Sequence, residues 1–229
     1  MSTRFPVPLG GVEAVTALAY TDRAATRVEA TLVLGHGAGA GQTSPFMVSF
    51  AAGLAARGLD VITFNFLYTE QGRRAPDRGP RLEACYRTVV ETARAGRPEV
   101  AARPLLIGGK SMGGRMASLV ADECGVAGLV CLGYPFHPPD KPEKTRTEHL
   151  ADLATATLIV QGERDRFGTP EEVAGYTLSD SIRIQWILDG DHDLVPRKKS
   201  GRTAEENWAE AVEATCRFLV PPQADRVGA

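Results

Sequence analysis

Long apolar runs are missing from this chain. No stretch approaches the roughly 20 apolar residues that a membrane span needs, and the opening MSTRFPVPLG lacks the apolar core of a signal peptide. The expectation is a cytoplasmic protein with no membrane partner. An excess of one charge is missing too. Lys and Arg number 26 against 28 Asp and Glu, a net charge of -2, so nothing draws the chain toward nucleic acid as a whole. Cysteines are few and scattered, at Cys85, Cys124, Cys131 and Cys216. With no CxxC pair and no Cys or His pair at ligand spacing, a disulfide framework and a zinc site are both disfavoured. Reduced, mostly buried thiols are expected, with no metal and no cofactor. Histidines number only four, so any histidine chemistry has few carriers. No repeat or linker divides the chain, and one domain over residues 1–229 is expected, with a frayed tail over 221–229.

What is present is the profile of a globular core: 43% hydrophobic and 24% charged residues. Short apolar runs over 13–19, 30–34, 60–66, 104–108, 127–133, 156–161 and 181–188 read as strands. Several, such as TLVLG, GLVCLG and TLIVQG, are apolar without alternation, as in parallel strands covered on both faces. Amphipathic segments over 45–57, 81–95, 112–123, 170–176 and 203–218 read as helices between them. Repeated alternation of the two predicts an α/β fold with a doubly wound, mostly parallel sheet. Sites in such sheets lie at the carboxyl ends of the strands, which makes the residues after each strand the ones to read.

After 104–108 comes Gly109-Lys110-Ser111-Met112-Gly113 and then a helix. This is G-x-S-x-G, in which a serine on a very sharp turn projects its hydroxyl above the sheet. With eight serines and 24 glycines in 229 residues, chance supplies the pattern about 0.09 times, and its place at a strand end sharpens it. Gly-Lys-Ser also ends a phosphate-binding loop, but that motif requires glycine where Pro104 stands. After 30–34 comes Gly35-His36-Gly37-Ala38-Gly39-Ala40, a permissive dinucleotide fingerprint. The next strand, DVITFNF, ends near Asn65 without the acid that a ribose needs. The other reading of this loop is an oxyanion site, with the backbone N–H groups of Ala38 and Met112 converging; His36 would tie the loop in place. After 156–161 comes Gly162-Glu163-Arg164-Asp165, and after 181–188 comes Gly190-Asp191-His192-Asp193. The order Ser111, Asp165, His192 supplies nucleophile, acid and base, each after its own strand.

These loops resemble the α/β-hydrolase superfamily. The signatures HGAGAG, NFLYTEQGRR, GGKSMGGRMAS, GYPFHPPDKPEKTRTEHL, QGERDRFG and GDHDL are most similar to a small family that groups bacterial hydrolases with testis-expressed-protein-like chains and a chromatin-complex subunit. The resemblance implies Ser111 as nucleophile, Asp165 as triad acid and His192 as base. Dienelactone hydrolases are more distantly similar, but usually carry cysteine where Ser111 stands. Some relatives serve as scaffold subunits, so an interaction module with little turnover is the alternative to a serine hydrolase.

The expected substrate is a small molecule with an ester, thioester or related acyl bond; the oligomeric state is left open. Basic runs at Arg73, Arg74 and Arg78 and at Arg197, Lys198 and Lys199 read first as solvated faces, and second as binders of an anionic substrate group. Lys110 reads first as part of a solvated turn, and second as touching an acidic neighbour near the site. His137 and His149 read as packing or surface residues. Residues 134–155 stand where many such hydrolases insert a lid, and the segment is short, with room for one helix around 147–153.

Overall fold

The computed structural model describes residues 2–21, 28–96 and 103–219; the expected frayed tail over 221–229 lies outside them. Eight strands form one sheet: β1 (Ser2–Gly10), β2 (Glu13–Tyr20), β3 (Thr31–Gly35), β4 (Asp60–Phe64), β5 (Leu105–Lys110), β6 (Gly128–Leu132), β7 (Thr157–Gly162) and β8 (Ile182–Ile187). Their order across the sheet is β1-β2-β4-β3-β5-β6-β7-β8. The first two strands run antiparallel to their neighbours, and the rest pair in parallel. Every residue of β3, β4, β5, β6 and β7 is buried, which is why these strands read as unbroken apolar runs.

The helices are α1 (Pro45–Ala55), α2 (Leu67–Glu70), α3 (Gly79–Ala95), α4 (Met112–Cys124), α5 (Pro170–Val173) and α6 (Ala204–Leu219). They cover both faces. On one, Phe50 and Leu54 of α1 join Ala211 and Val212 of α6 against Leu32, Val130 and Val160 of the sheet. On the other, Tyr86 and Val90 of α3 and Val120 of α4 pack on Val33, Ile107 and Leu129. Each side chain of this size that is fully buried contributes about 1.5–3 kcal/mol.

Three features differ from the sequence expectation. The strand β1 carries Pro6 and Pro8, which argue against a strand, yet it is the sheet edge, where a missing N–H costs no ladder bond. The helix expected over 170–176 is the single turn α5, opened by a capping box between Thr169 and Glu172. The helix expected around 147–153 is one 3₁₀ turn, Glu148–Leu150.

Candidate active site

Four loops meet at the carboxyl ends of β3, β5, β7 and β8. The sharpest follows β5, where Ser111 has φ 51° and ψ -112°. A non-glycine residue held there costs roughly 1–3 kcal/mol and persists only where its surroundings enforce it. They do. Ser111 N–H donates to Leu132 O at 2.9 Å, and helix α4 starts at the next residue. A Cβ on Gly109 would stand 2.3 Å from Gly35 O, and one on Gly113 only 2.1 Å from the same atom. Both flanking glycines are therefore obligatory contacts with β3. Beneath the turn, the buried Tyr86 hydroxyl reaches Val33 O at 2.9 Å and Gly108 O, and accepts Gly108 N–H at 3.0 Å. Burial pushes this phenol well above its ordinary pKa, so it stays protonated.

Ser111 Oγ lies 2.9 Å from His192 Nε2, and His192 Nδ1 lies 2.8 Å from Asp165 Oδ2. Asp165 is fully buried. Its Oδ2 also accepts from Gln161 Nε2 at 2.9 Å, and its Oδ1 accepts Phe167 N–H at 2.9 Å. These bonds leave the carboxylate one orientation. The Phe167 ring packs 4.2 Å from the imidazole, centre to centre. The acid and histidine loops touch directly: a Cβ on Gly162 would stand 2.4 Å from both Gly190 O and Asp191 O. From α6, Asn207 Nδ2 donates to Leu194 O and Trp208 Nε1 to Asp193 O, each at 2.8 Å, fixing the far side of the histidine loop.

The other nearby acids are engaged elsewhere. Glu163 accepts Asp189 N–H, and Asp191 accepts the N–H groups of Asp193 and Val195. Asp193 pairs with Lys110 at 3.2 Å. For Lys110 the second reading holds and the solvated turn does not: it meets the acid Asp193, is 6% exposed and donates to His192 O at 2.7 Å. Burial pushes its pKa down, and Asp193 and Asp165 pull it back up. The lysine thus ties the end of β5 to the histidine loop.

In the loop after β3, His36 is wholly buried. Its Nδ1 lies 2.8 Å from Gly37 O and so donates, while Nε2 accepts Phe66 N–H at 3.2 Å. Burial lowers its pKa and holds it neutral, as this pair of bonds requires. The ring pins the glycine loop to the end of β4, and Ala38 and Met112 line the cavity beside Ser111. Among the described residues neither Ala38 N–H nor Met112 N–H meets a backbone acceptor. Of the remaining histidines, His137 is buried 3.3 Å from Glu172, and His149 is 2.8 Å from Ser118 Oγ.

Ser111 and His192 open on a cavity of about 830 Å³ whose walls include Ala38, Phe46, Phe167 and Trp208. The basic runs singled out in the sequence do not line it. Arg73 is held by Asp77 and Gln71, and Arg197 by Asp189. Arg115 and Arg146 do line it, and sequence reasoning passed over both. Arg115 stands four residues after Ser111, one turn along the same helix face, which was the available signal. Residues 134–155 offer no exposed large apolar side chain; Tyr134, Phe136, Leu150 and Leu153 are buried in the core. No group of three or more His, Cys, Asp or Glu among the described residues is arranged to hold a metal ion, and none of their helices is long and apolar enough to cross a membrane.

Residues 28–220 match the family described as alpha/beta hydrolase domain. Among solved structures, a serine hydrolase without a lid from Xanthomonas campestris is similar at 20% identity and TM-score 0.76, covering 96% of this chain and 95% of that one. A dienelactone hydrolase from Anabaena variabilis is 20% identical with TM-score 0.70, over 96% of this chain and 99% of that one. The Butyrivibrio proteoclasticus protein Est1E, solved with ferulic acid bound, is 14% identical with TM-score 0.74, over 94% and 99% of the two chains. At these identities the likeness is one of fold.

Proposed function

The chain belongs to the alpha/beta hydrolase family, and from that premise we propose that it is a serine hydrolase cleaving an ester, thioester or related acyl bond through an acyl-serine intermediate. One observation carries the reading: the continuous path from Asp165 through His192 to Ser111, with donor–acceptor distances of 2.8 and 2.9 Å. The triad is functional only if the imidazole presents an unprotonated Nε2 to the serine, and a buried carboxylate on Nδ1 favours that tautomer.

In this mechanism Ser111 Oγ attacks the substrate carbonyl carbon as His192 Nε2 takes its proton. The carbonyl oxygen becomes an oxyanion facing the N–H groups of Ala38 and Met112, which among the described residues have no backbone acceptor to surrender. Removing one such donor elsewhere has cost about 10²–10³ in kcat. The tetrahedral intermediate collapses, the bond to the leaving group breaks, and His192 returns the proton to that group. Water, deprotonated by His192, then attacks the acyl-serine; the second intermediate collapses, the C–Oγ bond breaks as His192 Nε2 returns the proton to Ser111 Oγ, and the acid is released.

Four cysteines with no disulfide among them suit a reducing, cytoplasmic setting. The motif resemblance to a family with scaffold members supports a second reading, an interaction protein with little turnover. Active-site labelling separates the two. A fluorophosphonate probe should phosphonylate Ser111 and no other serine, located by peptide mass spectrometry, and Ser111→Ala should abolish the adduct. An unlabelled, folded chain would favour the scaffold.

The buried apolar side chains of residues 134–155 leave no lid to open onto a lipid surface. Rates on a long-chain ester should therefore follow simple saturation through the solubility limit. A steep rise above that limit, measured on emulsions, would contradict this.

A further inference from the structure

Charges around the cavity do not balance. Five charged side chains line it besides His192: Asp77, Lys110, Arg115, Arg146 and Asp193. Asp77 is 2.6 Å from Arg73 and 3.7 Å from Arg81. Asp193 is paired with Lys110. Both acids are thus satisfied, and neither is bonded to Arg115 or Arg146. Among the described residues these two guanidiniums have no carboxylate partner and no side-chain hydrogen bond. Arg115 Nε is buried without any acceptor. A buried, charged donor left unpaired costs more than the roughly 1–3 kcal/mol of a neutral one, so such groups call for an explanation. The two arginines also repel: burial lowers the pKa of Arg146, and Arg115 lowers it further. His149 feels the same field, its pKa pushed down first by burial and then by Arg115.

We propose that Arg115 and Arg146 form a subsite for an anionic group, a carboxylate or phosphate, carried by the substrate whose acyl bond Ser111 attacks. The proposal rests on the hydrolase reading for the word substrate; the anion site itself rests on the two arginines. Arg115 enters from α4, one helical turn or about 5.4 Å beyond Ser111. Arg146 enters from the 134–155 segment, whose position is fixed by Arg146 N–H on Phe136 O at 2.7 Å and Tyr134 Oη on Arg146 O at 3.0 Å. Two planar forks from separate elements, both on the Ser111 cavity, suit a group with two or three acceptor oxygens. An anion held there shares one cavity with the scissile carbonyl, which selects substrates whose charged group and acyl bond both fit within it.

The test compares kcat/KM for mono-p-nitrophenyl glutarate and for neutral p-nitrophenyl pentanoate, on the parent chain and on Arg115→Gln, Arg146→Gln, Arg115→Lys and Arg146→Lys. The parent should prefer the glutarate ester. The ratio of the two values should fall about ten- to hundredfold in either glutamine variant, the range expected for losing a hydrogen bond to a charged group, with partial recovery in the lysine variants. No preference in the parent, or a ratio unmoved in Arg146→Gln, overturns the subsite. Arg146 lies on a loop, so its variant keeps the test decisive if Arg115→Gln fails to fold. If the parent turns over neither ester, the hydrolase reading has failed on its own. Calorimetric titration with glutarate and with inorganic phosphate then decides the subsite. Binding that weakens in Arg146→Gln supports it, with the tighter ligand naming the anion, and absent or unchanged binding overturns it.

Discussion

Replacing His192 by alanine should lower kcat by roughly 10⁶-fold on a p-nitrophenyl ester while leaving the chain folded. The magnitude follows from removing the one group proposed to accept the Ser111 proton; comparable triad deletions cost about 2 × 10⁶. Within the structure no other histidine can substitute. His36 has both ring nitrogens committed, one to Gly37 O and one to Phe66 N–H. His149 is turned to Ser118 and Tyr134, and His137 faces Glu172. His137→Ala and His149→Ala should keep most of the turnover. Folding is expected to survive in His192→Ala because its ring is a quarter exposed and its loop is held by backbone bonds, Asn207 and Lys110. Steady-state kinetics with circular dichroism on the variants checks all of this. A folded His192→Ala that turns over ester like the parent would refute the proposed triad.

The loops of the candidate site were legible because the proposed chemistry demands residues with local signatures. A serine at φ 51° flanked by backbone of β3 leaves no room for a Cβ at Gly109 or Gly113, so the turn writes itself into the sequence as G-x-S-x-G. Gly162 marks the acid loop in the same way. The central strands were legible because helices cover both faces, and the edge strand β1 was not, because solvent on its outer side tolerates Pro6 and Pro8. Charge was the hardest feature to read. Arg73 and Arg197 in basic runs are neutralised by Asp77 and Asp189, while among the described residues Arg115, set between small and apolar neighbours, and Arg146, set in the mixed-charge run from Asp140 to Glu148, meet no acid. A sequence lists charges but does not say which acid each one meets; that is settled by elements far apart in the chain. Lys110 stands between two readings in the sequence for the same reason, since its partners Asp193 and His192 O come from the loop after β8. Tyr86 is a third case: one aromatic on an amphipathic helix reads as core, and only the sheet contacts reveal the bonds beneath the serine turn.

Asp165→Asn should lower kcat by roughly 10⁴-fold, the loss that follows when a triad acid can no longer hold the histidine tautomer and charge. The carboxylate has three bonds to lose or rearrange: Gln161 Nε2 and His192 Nδ1 on Oδ2, and Phe167 N–H on Oδ1. An asparagine has two placements there. With its nitrogen at the Oδ2 position, it faces Gln161 Nε2, whose own oxygen is held by Tyr134 N–H at 2.7 Å, and it pushes the imidazole to the tautomer that carries hydrogen toward Ser111. With its nitrogen at the Oδ1 position it opposes Phe167 N–H, and the imidazolium forms without a carboxylate beside it. Both placements set donor against donor in a fully buried site, a cost of about 1–3 kcal/mol, so Tm should fall by roughly 2–4 °C for each kcal/mol in a chain of this size. Asp191→Asn and Asp193→Asn are the discriminating controls. Asp191 shapes the histidine loop through two N–H groups and Asp193 answers Lys110, so each should cost far less turnover than Asp165→Asn. Kinetics at equal folded fraction, established by thermal melts, compares the three. Greater damage from either control than from Asp165→Asn would move the acid's role away from Asp165.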